Sequence, residues 1–210
     1  MDDHIALFIT MHPSSPPKQS ALLTALRQGA RGFYRLPSTR CIAWSYCTPI
    51  TPISPATAQD DLTVTGLEIY TSKAALQDQL NDTTFFQPFE KLVRDQQLCD
   101  KKETMVAWYL AAGFLARSQE RIVGSGGVVV RVHQMTCAGS GEKEAVVKGL
   151  GEFAGWSRGR DSGLLTFAMF TRKKDAREVL VYVRYRDEGA VRRIEGRPEY
   201  QNIRYAIPLC

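Results

Sequence analysis

Glu68 and Tyr70 stand two residues apart in Leu62–Tyr70, a run with the composition of a β-strand, so both side chains project from one sheet face. Trp44 and Tyr46 form the same kind of pair in Cys41–Cys47. A carboxylate among aromatic rings loses hydration, which disfavours its charged form and lifts its pKa toward a value useful for proton transfer. The plainer alternative is a strand-edge glutamate in water beside ordinary core aromatics. A second candidate is His133, which alternation places on one face with Arg131 in the strand-like run Val128–Gln134. That pair could accept a substrate proton and hold the resulting oxyanion, or could cap a strand end in solvent. Trp108 and Tyr109 share another strand-like run, one facing each side, and for Trp108 a core role competes with a place on a pocket wall. His12, between Met11 and Pro13, reads as a surface residue. Cys41, Cys47, Cys99, Cys137 and Cys210 are odd in number and lack CxxC spacing, so reduced thiols fit better than a disulfide framework or a zinc site.

The elements that carry these residues occur twice. The first set is a strand Ile5–Met11 and, after Pro-Ser-Ser-Pro-Pro, a helix from about Lys18 to Tyr34 with Leu22, Leu23, Leu26, Ala30 and Phe33 on one stripe. Strands Cys41–Cys47 and Leu62–Tyr70 follow, separated by the Pro-rich loop Thr48–Ala58. Helical runs at Ser72–Asn81 and Phe85–Asp95 and a strand at Thr104–Phe114 complete it. The second set is a strand Val128–Gln134, a helix Glu142–Trp156, strands Leu164–Thr171 and Glu178–Tyr185, a helix Glu188–Glu195, and Ile203–Leu209 as a closing strand. Trp44 falls on Phe167 at an offset of 123, and Tyr70 falls on Tyr185 at an offset of 115; an eight-residue difference in loop length accounts for the change. Tyr185 thereby joins the candidates for contact with a substrate.

Each half therefore predicts a β-α-β-β-α-β ferredoxin-like unit. The fold class is α+β: two tandem units, 1–117 and 122–210, whose antiparallel sheets cover each other as a pseudo-dimeric α/β barrel. Gly124-Ser125-Gly126-Gly127 reads as the turn between them, because a phosphate-cradling loop would precede a helix rather than a strand.

Composition narrows the partners. The 210 residues are 44% hydrophobic and 23% charged, which fits a globular chain and not a disordered or coiled-coil one. No apolar run reaches the roughly 18 residues of a membrane span, and the acidic start Met1-Asp2-Asp3 does not suit a secretory signal, so a cytoplasmic protein is expected. Residues 117–210 carry 17 Lys+Arg against 11 Asp+Glu, but apart from Arg172-Lys173-Lys174 these are dispersed. No nucleic-acid-binding motif accompanies them, and no nucleic-acid partner is expected.

The segment Leu67-Glu68-Ile69-Tyr70-Thr71-Ser72-Lys73-Ala74-Ala75-Leu76, with Thr84-Phe85-Phe86-Gln87-Pro88-Phe89 beyond it, resembles the signature of the antibiotic-biosynthesis monooxygenase family of dimeric α/β barrels. That signature reads Glu-x-Trp, a polar turn, Ala-Leu-x-x-His and then His-Phe. Val183–Val191 resembles the same segment more loosely. The resemblance implies a cofactor-independent oxygenase that uses molecular oxygen on an aromatic or polyketide-derived phenol or anthrone in secondary metabolism, as a monomeric pseudo-dimer or a homodimer. It implies an apolar pocket, a proton acceptor and donors for an oxyanion. The family's helix histidine falls on Gln79 and Ile194, and its next histidine on Thr84 and Glu199, so haem degradation is disfavoured. Catalytic roles fall to Glu68, Tyr70 and His133, with Trp44, Tyr46, Trp108, Arg131 and Tyr185 around the substrate. A redox-neutral cyclase, isomerase or dehydratase, or a non-catalytic barrel that binds a hydrophobic ligand, would use the same pocket.

Overall fold

Pro16 and Pro17 start the first helix rather than delay it. In the computed structural model, which describes residues 4–50, 62–116, 122–123, 128–173 and 177–201, α1 spans Pro16–Gly29 and not Lys18 onward. A proline's missing N–H costs nothing in the first turn, where backbone donors have no intrahelical acceptor. The loop residues 51–58, the junction 124–127 and the closing run 203–209 lie outside the described residues.

The chain divides into two compact units, Met1–Ala107 with Arg121–Gly124, and Trp108–Glu120 with Ser125–Cys210. In the first, β1 (Ile5–Met11) leads to α1, which passes into a π-helical turn at Ala30–Tyr34 before β2 (Cys41–Cys47). β3 (Val64–Tyr70) lies between β1 and β2, antiparallel to both. The buried residues of α1, among them Leu22 and Leu26, lie on the stripe that the periodicity predicts. The Ser72 hydroxyl accepts from Ala75 N–H at 3.1 Å and caps α2 (Lys73–Leu80). Asp82 then turns the chain into α3 (Phe86–Asp95): its carboxylate accepts from the N–H groups of Phe85 and Phe86 at 2.6 and 2.7 Å. β4 (Thr104–Phe114) follows, and the backbone of β5 (Ile122–Val123) pairs in parallel with β2.

The second unit repeats the plan with β6 (Val129–Thr136), α4 (Ser140–Arg158), β7 (Leu164–Thr171), β8 (Glu178–Tyr185) and α5 (Glu188–Glu195). β8 lies between β6 and β7, antiparallel to both, so the order β7-β8-β6 reproduces β2-β3-β1. Residues Tyr109–Phe114 of β4 pair with the free edge of β7 across a bulge. There Gly113 adopts a positive φ of 96°, and a Cβ on it would run into the Phe167 carbonyl, so glycine is required. Val146, Leu150 and Phe153 of α4 pack with Phe167, Val183 and Ile194 into an apolar core. The fold is thus α+β, two ferredoxin-like units in tandem. Among the described residues no helix is long and apolar enough to cross a membrane.

Candidate active site

Glu68 occupies the middle of the central strand of the first unit, with Trp44 as its register partner on β2 and Leu7 on β1. Only 4% of it is exposed, which excludes the solvated strand-edge reading. Its carboxylate is satisfied from three sides. Trp44 Nε1 donates to Oε1 at 2.8 Å, the Tyr46 hydroxyl donates to the same oxygen at 2.5 Å, and the Tyr70 hydroxyl lies 2.6 Å from Oε2. The Tyr70 hydroxyl also hydrogen-bonds Gln79 Oε1, and Gln79 is itself buried on α2.

Local backbone choices make this geometry possible. Tyr46 is paired with Gly66, and its ring lies where a Cβ on Gly66 would sit. The missing side chain lets the ring lie flat across β3, so that its hydroxyl reaches Glu68 on the diagonal. The π-helical turn delivers Tyr34 onto Trp44, with ring centroids 4.2 Å apart and planes 14° from parallel. Phe85, fixed by the Asp82 turn, meets Tyr34 edge-on at 5.7 Å and stacks on Phe33 and Phe89, each at 5.8 Å. Its ring fills the place of a Cβ on Gly29.

Between this sheet face and α2 and α3 lies a cavity of about 30 Å³, bordered by Glu68, Tyr34, Trp44, Gln79, Phe85 and Phe89. That volume suits a water molecule or two. Leu80 and Met105, 39% and 47% exposed, stand at its border, as do Glu90 and Glu103. None of the described residues that border it is a lysine or arginine.

Burial raises the Glu68 pKa above its ordinary value, and the hydrogen bonds from Tyr46, Tyr70, Trp44 and Gln79 pull it part of the way back. Burial, and after it the Glu68 charge, pushes the phenols of Tyr46, Tyr70 and Tyr34 well above 10. The tyrosines therefore act as donors that keep their protons, and Glu68 is the group in the cluster suited to exchange one.

The sequence candidates divide between the units. Glu68, Tyr70, Trp44 and Tyr46 come together in the first. Arg131 and His133 lie exposed on β6 in the second, where Arg131 Nε is 3.8 Å from Glu195. Tyr185 is fully buried, with its hydroxyl 3.2 Å from Glu195 Oε1. Trp108 is fully buried on β4, with the Arg172 guanidinium 5.9 Å from its ring centre. The positions that repeat Trp44, Tyr46, Glu68 and Gln79 hold Phe167, Met169, Val183 and Ile194, so no carboxylate cluster forms there. Tyr34 and Phe85 were not singled out from the sequence. Phe85 carried a signal, since the offset of 115 that brings Tyr70 onto Tyr185 also brings Phe85 onto Tyr200, whereas Tyr34 depends on a π-helical turn that periodicity does not register.

Comparison with known proteins agrees with this architecture. The chain has the fold of a candidate monooxygenase from Lactobacillus acidophilus, with a TM-score of 0.76 and 11% identity over 98% of this chain and 87% of that one. It is similar to a candidate monooxygenase from Fusobacterium nucleatum, with a TM-score of 0.72 and 11% identity over 96% and 84% of the two chains. An anthrone oxidase-like protein shares the fold at a TM-score of 0.56 and 11% identity, over 98% and 85%. No curated protein matches the sequence. Residues 129–205 match the model of the antibiotic biosynthesis monooxygenase family.

Proposed function

We propose that the first unit carries a cofactor-independent oxygenase site for an aromatic, polyketide-type substrate with an acidic phenol or anthrone carbon. The observation that carries this reading is the buried Glu68, held by Trp44, Tyr46 and Tyr70 within an aromatic pocket that no lysine or arginine borders among the described residues. Ionised Glu68 takes the substrate proton. As its charge disappears, the hydroxyl and indole donors that served it become free to turn toward the oxyanion forming on the substrate. The resulting anion is electron-rich enough to reduce oxygen directly. An anthrone methylene consumes one molecule of dioxygen and yields a ketone and one molecule of water. Both C–H bonds of the methylene break and a C=O bond forms. One oxygen atom enters that carbonyl, the other leaves as water with the two hydrogens, and all electrons come from the substrate. Aromatic walls favour a planar ligand and exclude the water that would quench its anion. The fold shared with an anthrone oxidase-like protein is consistent with this chemistry.

The test is to incubate the purified protein with anthrone- and hydroquinone-type substrates under air while measuring oxygen uptake and product. Stoichiometric oxygen consumption with oxidised product is expected. No turnover across the panel, or equal product formation under strict anaerobiosis, would overturn the reading. The anaerobic result would indicate a redox-neutral reaction at the same carboxylate.

A further inference from the structure

The exposed members of its border mark where the Glu68 cavity reaches the surface, and they come from three elements of the first unit. α2 brings Leu76 and Leu80 at a spacing of four, which puts both on one helix face. α3 brings Phe86 and Glu90 at the same spacing, with Glu90 exposed. Met105 of β4 and Glu103 just before it are two residues apart, Met105 exposed and Glu103 half-buried. The rim is thus apolar, with two carboxylates set into it from different elements. They are close enough to interact: burial, and after it the Glu103 charge, raises the Glu90 pKa against the pull of Arg94. Arg94 and Lys102 act on Glu90 from outside the cavity border, and Arg94 Nε also lies 3.8 Å from Asp95. The chain as a whole is basic, with a formal net charge of +5, so the acidic rim is a local feature and not the general background.

The geometry points to Glu90 and Glu103 as specificity residues, which admit an aromatic substrate whose outward end is neutral or cationic and turn away one that carries a carboxylate there. This deepens the proposed function and rests on its placement of the substrate against Glu68. Because Glu68 lies at the buried end, the acidic phenol or anthrone carbon must enter first, and the rest of the ring system trails toward Leu80, Met105 and the two acids. An anionic group at the trailing end would face Glu90 and Glu103 with Glu68 behind them. No lysine or arginine among the described residues borders the cavity to answer that charge. An ammonium group in the same place would meet two carboxylates, while Leu80 and Met105 cover the ring beside it. The same charges decide where the substrate anion forms. Negative charge is disfavoured at the rim and accommodated at the inner end, where Trp44, Tyr46 and Tyr70 donate.

Anthracenes bearing an aminomethyl, hydroxymethyl or carboxylate group at the 2-position share one ring system and have no acidic ring methylene, so their binding is read without turnover. Their affinities at pH 8 are measured by fluorescence anisotropy on the wild type and on the Glu90→Gln/Glu103→Gln double variant. The aminomethyl compound is expected to bind the wild type at least about tenfold more tightly than the carboxylate, with the hydroxymethyl compound between them. The double variant should bring that ratio within about threefold while the neutral compound stays within about twofold, and 1 M salt should narrow the wild-type ratio in the same direction. A carboxylate that binds the wild type as tightly as the neutral compound, a ratio unchanged in the double variant, or no binding by any of the three would overturn the inference. If circular dichroism shows the double variant unfolded, the single variants decide, each being expected to narrow the ratio in part. Oxygen uptake has no part in this measurement. Charge-sorted binding without turnover on the aromatic panel would sink the oxygenase reading alone, and turnover without charge sorting would sink this inference alone.

Discussion

A buried carboxylate surrounded by donors, with no lysine or arginine among the described residues at the cavity that borders it, pays for its charge in lost hydration, and Glu68 is in that position. Its native pKa is raised, so the stability contributed by the neutral form is complete below the ordinary glutamate value of about 4.3. That contribution is lost as the pH rises through the elevated native value, and no further loss follows above it. Thermal melts should therefore show the Tm of the wild type falling relative to Glu68→Gln across that window; parallel curves would mean that Glu68 ionises as freely as in the unfolded chain. Activity should depend on the same group. Glu68→Gln is expected to lower kcat by about 10²–10⁴-fold, the range for loss of a positioned base. Tyr70→Phe should cost less, and His133→Ala, on an exposed strand, should stay within about twofold of wild type. Kinetics on purified variants check the ranking, and its reversal would move the chemistry to the second unit. The two-residue spacing of Glu68 and Tyr70, and of Trp44 and Tyr46, already placed each pair on one sheet face. Their hydrogen bonding to a single carboxylate depends on the pairing of β2 with β3, which strand periodicity does not specify.

Two elements hold the cluster in place through backbone features. Asp82 fastens the start of α3, and through it Phe85, by accepting three backbone N–H bonds, from Thr84, Phe85 and Phe86. Although desolvation opposes it, these bonds lower the Asp82 pKa. Its contribution is present above the ordinary aspartate value and is lost as the pH falls through the depressed one. Asp82→Ala should cost about 1 kcal/mol in denaturant melts, as loss of a helix-start cap does. It should also reduce activity without touching a reacting group. Gly66→Ala tests the other feature: its methyl would displace the Tyr46 ring, so it should weaken activity as much as Tyr46→Phe or more. A fully active, stable Gly66→Ala protein would show that Tyr46 need not lie across β3. The strands were legible to within a few residues because their apolar runs are short and bounded by turn residues. Helix starts were less so: prolines at 16 and 17 mark a beginning as readily as a barrier, and α4 begins at Ser140 rather than Glu142.

Across the molecule the repeat is one of architecture and not of chemistry. Phe167, Val183 and Ile194 make the second unit's matching positions an ordinary apolar core, so calorimetric titration with a turnover-competent substrate or inhibitor should give one site per chain. Two equivalent sites would contradict that asymmetry. The duplication was readable because element order and aromatic matches such as Trp44 with Phe167 survive a change of loop length. The loss of the second carboxylate was also visible, in Val183 opposite Glu68. How nearly the first site closes was not legible, since it depends on Phe85 lying in the place of a Gly29 Cβ and against Tyr34. A space of about 30 Å³ holds no aromatic molecule, which takes about 150 Å³ in the case of benzene. Any such guest must first part neighbouring rings, and the work of separating them is subtracted from its affinity. Association should accordingly be slower than encounter and steeply dependent on temperature, with discrimination exerted at the threshold as well as at the base.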